Sequence, residues 1–158
     1  MLNTAEKVSV LLLRLSIGWL FFYAGWSKVI TFFTDAKDWT AAGFLSQIPG
    51  PFAGLFSGMA GNALVDYLNA YGLLLVGAAL ILGIFVRWSA FWGIVIMVLY
   101  YLASFPAEHS YIVEEHFIYA LVLVVLAAVG AGRVWGLDRA LENSGFVKSN
   151  SWLVKLLG

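Results

Sequence analysis

The chain has no cysteine and only three prolines in 158 residues, and charge is scarce: nine basic and nine acidic residues make up 11% of it. Without cysteine there is no disulfide, iron–sulfur cluster, thiolate zinc site or thiol nucleophile. Balanced charge removes the net field that would recruit nucleic acid or another polyanion, so electrostatic effects are local. So few charges cannot clothe a soluble domain of this length. What fills the sequence is apolar: 62% of residues are hydrophobic and the mean hydropathy is +0.90. A disordered chain has the opposite composition. The class that remains is an integral membrane protein.

A spanning helix needs roughly 20 mostly apolar residues. Four stretches qualify, at about 8–30, 70–86, 88–105 and 112–132. They predict an all-α membrane bundle of four helices in one domain covering residues 1–158. The first stretch contains Arg14, is longer than a signal-peptide core and has no small-x-small cleavage site, so it reads as a retained helix. The second and third share one apolar run divided near Gly83 to Trp88, where Arg87 marks a tight hairpin. Lys7, Arg14, Arg87, Arg133, Arg139, Lys148 and Lys155 fall on one side, against Lys28 and Lys37 on the other. This bias puts both termini on the cytoplasmic side of the cell membrane. Between the first two spans, Trp39, Phe44, Leu45 and Ile48 predict a short interfacial helix. After Pro49-Gly50-Pro51, the recurrence of Phe52, Leu55, Phe56, Met59, Ala63, Leu64 and Tyr67 predicts a second amphipathic helix capping the bundle.

An ionisable group inside a span needs a partner or a task. Arg14 is expected to snorkel to the cytoplasmic interface as an anchor. Lys28 shares its helix face and reaches the outer end, where a Lys28–Glu115 pair would either tie two helices together or hold a substrate. His109 and His116, with Glu108 and Glu115 at the same spacing, gather before and within the last span. Their separation corresponds to about 10 Å of helical rise, too far for two ligands on one ion. No metal site is therefore expected. An acid–base site facing a quinone and a set of solvated interfacial residues both remain open for these histidines. Two histidines at one end of one element do not make a bis-histidine haem site, so no covalently bound cofactor is expected, and electron transfer would use a diffusible quinone or a partner. Most aromatics suit interfacial belts, while Tyr23, Trp26 and Tyr119 are candidates to stack on a flat ring. Gly130-Ala131-Gly132 closes a helix rather than opening one after a strand, so it is a cap and not a phosphate loop.

The run Arg14-Leu15-Ser16-Ile17-Gly18 with Phe21-Phe22-Tyr23-Ala24-Gly25-Trp26-Ser27-Lys28 resembles the first-helix signature of the DoxX/DoxD family. Gly72 to Arg87 is similar to that family's second helix, and Gly130 to Asp138 to its closing segment. The resemblance implies a four-helix bundle of the kind found as the membrane subunit of thiosulfate:quinone oxidoreductase. It further implies a companion redox subunit, with Lys28 and Arg87 as the carried-over functional positions and Lys28 as a fixed cation for an oxyanion. Residue types and resemblance together nominate Lys28, Glu115 and His116 for chemistry, and Tyr23, Trp26, Arg87 and Tyr119 for quinone or substrate binding. A non-catalytic scaffold anchoring a partner oxidoreductase is the alternative, and a homo-oligomer is compatible with either.

Overall fold

The computed structural model describes residues 2–35, 37–106 and 112–158, and among them there is no strand. The helices are α1 (Thr4–Val29), α2 (Ala42–Leu45), α3 (Ala53–Ser57), α4 (Ala63–Leu82), α5 (Val86–Ala103), α6 (Glu115–Ala128), α7 (Asp138–Glu142) and α8 (Gly145–Ser149). Among the described residues, three apolar segments are long enough to cross a bilayer: Thr4–Phe33, Ala63–Leu82 and Val86–Ala103. The architecture is the expected all-α membrane bundle.

Two boundaries differ from those read in the sequence, and the caps explain both. The span expected over 112–132 is a 14-residue helix, about 21 Å long at 1.5 Å per residue. Glu114 starts it by accepting the His116 N–H at 3.1 Å, and Gly130 stops it with a φ of +66°. The second span begins at Ala63 rather than near 70, because Asn62 caps it through the Leu64 N–H at 3.0 Å. Ala63, Leu64 and Tyr67 therefore belong to a spanning helix and not to a separate capping helix. What remains of the two expected interfacial helices is α2 and α3. Gly54, Gly58 and Gly61 oppose a longer helix there, each at about 1 kcal/mol relative to alanine, and the Asn62 cap offers a better start. The hairpin is where it was expected, with Gly83 at φ +67° ending α4.

The helices pack in the order α1, α4, α5, α6. Lipid supplies no hydrophobic drive for helix association, so small residues that admit close backbones matter. A Cβ on Gly77 would fall 2.2 Å from the Phe22 nitrogen, and one on Gly25 would fall 2.2 Å from that of Leu74. Phe21, Leu80, Leu123 and Leu126 fill the core without exposure. Leu12, Trp19, Leu75 and Phe91 face outward, as a lipid-facing surface requires. Contact between α1 and α6 is thin.

The end of the bundle that carries the termini is tied by buried charge. Arg14 does not snorkel: it is 1% exposed and donates from Nη1 to the carbonyls of Ala131 and, at 3.0 Å, Val134. Asp138, fully buried, provides the opposing charge nearby. Arg133 turns outward to Glu142 (Nε to Oε1, 2.8 Å), and these hydrogen bonds push the guanidinium further above its ordinary range.

Candidate functional site

At the opposite end, α4 and α5 diverge around a cavity of about 810 Å³. Its walls come from residues 65–72 of α4 and 92–103 of α5 with Ser104 just after it, and residues 39–59 of the preceding loop form a roof. The lining is mostly apolar, including Phe44, Phe56, Met59, Trp92 and Leu99, with Thr40 and Ser104 also on it and one polar corner. There Asn69, Tyr100 and His116 converge. Asn69 Nδ2 lies 2.7 Å from the Tyr100 hydroxyl oxygen, and the hydroxyl lies 3.0 Å from Asn69 Oδ1. The His116 ring stands edge-on to Tyr100, with centroids 5.3 Å apart and planes at 84°.

His116 Nδ1 is paired with Glu114 Oε1. One carboxylate thus caps α6 through one oxygen and holds the imidazole through the other. With Nδ1–H given to Glu114, the neutral ring keeps its lone pair on Nε2. A carboxylate-oriented imidazole of this kind can accept or deliver one proton without reorienting.

The roof is held from two sides. Asp66, on α4, accepts the Ala41 N–H at 2.8 Å. The Thr31 hydroxyl donates to the Lys28 carbonyl at 2.7 Å and accepts the Trp39 N–H at 2.9 Å. Lys28 Nζ rests 5.1 Å from the centroid of the Trp39 ring, a favourable cation–π placement, and donates to the Ala24 carbonyl at 2.8 Å. Trp39 is itself part of the cavity wall.

The residues nominated from the sequence scatter around this site. His116 lines the cavity, and Tyr119 packs on its ring at 6.3 Å. Lys28 reaches the wall only through Trp39. Glu115 is exposed; the ion pairs among the described residues do not include Lys28–Glu115, and the carboxylate beside His116 is Glu114. Tyr23 and Trp26 are 62% and 47% exposed on the outer face of α1. Arg87 sits at the far end of the bundle, where Nε donates to the Ala127 carbonyl at 3.3 Å. Glu108 and His109 lie outside the described residues. The cavity is bordered by the second and third spans, while α1 packs along α4 and meets α6 only thinly. Glu114, Glu115 and His116 have ligand atoms within 4.8 Å of one another, but two of the three are already bonded to each other. Asn69, Trp39 and Trp92 were missed as site residues; a polar Asn seven positions into an apolar helix was the available signal.

The family model for DoxX matches residues 9–105, more than half of the chain. The chain belongs to the DoxX family. Comparison with curated proteins and with solved structures finds no match. The DoxX match runs from α1 to the turn after α5, so it includes the roof and both long walls of the cavity. Glu114 and His116 stand beyond it. This DoxX protein is a membrane protein with an apolar cavity bordered by Asn69, Tyr100 and His116.

Proposed function

We propose that this chain is the membrane subunit of a redox system and that the cavity between α4 and α5 receives the head group of a quinone. The single observation that carries the reading is the combination of an apolar cavity of about 810 Å³ with Asn69, Tyr100 and His116 at one tip. A quinone is a flat apolar ring with hydrogen-bond acceptors at its oxygens, and such sites are apolar pockets with a few placed polar groups. Its reduction takes up two electrons and two protons to give the quinol. His116, oriented by Glu114, is the group placed to pass a proton at the cavity's edge.

The DoxX/DoxD resemblance supplies the finer reading of the donor: two thiosulfates join as tetrathionate and release the two electrons that the quinone accepts, with a companion subunit assisting. Lys28 is the cation offered to such an oxyanion, and it rests on the Trp39 ring that lines the cavity. With both termini cytoplasmic, the cavity lies at the end of the bundle nearer the outer face of the cell membrane.

Saturable quenching of tryptophan fluorescence by decylubiquinone, with the full chain in nanodiscs, tests the assignment. Trp39 and Trp92 border the cavity and should report its filling. His116→Phe should weaken the binding, while Tyr23→Leu and Arg87→Gln should leave it unchanged. Quenching that rises linearly, as partitioning into lipid produces, would return the chain to the scaffold alternative.

A further inference from the structure

We propose that Asn69 and Tyr100 form a reversible hydrogen-bonding pair that accepts the oxidised and the reduced form of one quinone head group with similar strength. The inference rests on the quinone reading of the cavity and adds what the polar tip does there.

The amide of Asn69 presents both of its ends to one hydroxyl, Nδ2 at 2.7 Å and Oδ1 at 3.0 Å. The pair therefore holds in either sense. In the first, the Tyr100 hydroxyl donates to Oδ1, and the protons of Nδ2 are free for a ligand carbonyl. In the second, Nδ2 donates to the Tyr100 oxygen, Oδ1 is free to accept from a ligand hydroxyl, and the Tyr100 proton can turn toward the cavity. A quinone oxygen only accepts, whereas a quinol oxygen also donates. One sense suits each form, and neither sense breaks the bridge between α4 and α5.

This matters because the alternatives for a cavity tip are one-sided. A lysine or a backbone N–H offers donors only and favours the carbonyl form; a carboxylate favours the hydroxyl form. In an apolar cavity an unmet polar group costs enough to skew affinity between the two forms strongly. A pair that reverses avoids that skew, so product leaves as readily as substrate enters. His116 stands beside the pair with its own proton held toward Glu114.

The test uses three rings of nearly the same shape on the full chain in nanodiscs under anaerobic conditions: duroquinone, durohydroquinone and durene, which lacks the oxygens. Binding is read by tryptophan quenching or by competition against the quenching ring. Wild type should bind both oxygenated rings within about threefold of each other, and each about tenfold tighter than durene, the scale of one buried hydrogen bond. Asn69→Leu and Tyr100→Phe should each weaken both oxygenated rings by similar factors and leave durene unchanged. Tyr100→Phe keeps the ring that packs against His116, so it carries the test if Asn69→Leu fails to fold. Loss of affinity for one redox form alone overturns the proposal, because it shows a pair fixed in one sense. Equal binding of all three rings also overturns it, while leaving an apolar ring site in place. If none of the three rings binds, the quinone reading itself falls and the inference with it.

Discussion

Asp138 accepts the backbone N–H of Val86 at 3.0 Å, so a carboxylate from beyond α6 caps the first turn of α5. It also accepts the N–H groups of Phe85 at 2.6 Å and Gly158 at 2.9 Å. Arg14, from α1, lies close by with the opposite charge and bonds the carbonyls of the same segment. Asp138→Ala should therefore strand three donors and leave Arg14 without a counter-charge. A buried donor left without its partner costs roughly 1–3 kcal/mol, and the combined loss should appear as a large fall in the thermal midpoint of the detergent-solubilised protein. The double change Arg14→Met with Asp138→Leu should cost less than the two single changes summed. Strict additivity would mean the two side chains act independently.

The crossing of α1 and α4 depends on absent side chains. A Cβ at Gly77 would press within 2.2 Å of the Phe22 backbone nitrogen, and backbone cannot turn aside as a long side chain can. Gly77→Leu should separate the helices and destabilise by more than the roughly 1–3 kcal/mol of ordinary overpacking. Gly43→Ala, which meets nothing within 4 Å, is the matched control. Melting both variants in one detergent separates crowding from the loss of glycine.

The apolar runs made the spans legible, since length against bilayer thickness leaves few alternatives, and the hairpin followed from Gly83 and Arg87. Caps were less legible. Asn62 moved the start of α4 by about two turns, and that movement brings Asp66 and Asn69 onto a spanning helix. The choice between Glu114 and Glu115 could not be read from spacing, because one position rotates a side chain by about 100° and the helix start decides which carboxylate meets the ring. The cavity's location could not be read either. It depends on which helices are neighbours, and the glycines that join α1 to α4 set that order only in three dimensions. Arg14 looked like a surface anchor because its partners are backbone carbonyls, which carry no sequence signature.

Asp66 ties the roof to α4 through a charge-assisted hydrogen bond, beside the apolar packing of Ala41, Leu45, Ile48 and Phe56. Asp66→Ala frees the Ala41 N–H, a buried donor whose loss of partner costs about 1–3 kcal/mol. Because the bond closes a loop and not the core, local opening should rise while global melting changes little. Hydrogen exchange across residues 39–48 should quicken, and decylubiquinone should bind more weakly. Lys28→Met should act in the same direction, by about 0.5–2 kcal/mol for a half-buried cation–π contact. If Lys28→Met abolishes turnover while exchange in the roof stays unchanged, Lys28 acts on substrate directly and not through Trp39.

Glu114 and Glu115 are neighbours with different surroundings, and that difference gives a sharp comparison. Glu114 caps α6 at 3.1 Å through the His116 N–H and pairs with the His116 ring, whereas Glu115 is exposed. Glu115→Gln should leave stability and quinone turnover close to wild type. Glu114→Ala removes a cap, worth about 1 kcal/mol, and also frees the imidazole to rotate. Glu114→Gln keeps an oxygen for the cap but removes the charge that orients Nδ1–H, so it should spare stability and still slow turnover. His116→Phe sets the floor, at about 100-fold below wild type if the ring serves as the proton carrier. Turnover in Glu114→Gln should fall between that floor and the wild-type rate. Equal turnover in Glu114→Gln and wild type would reduce the pair to a helix cap, leaving His116 as cavity lining alone.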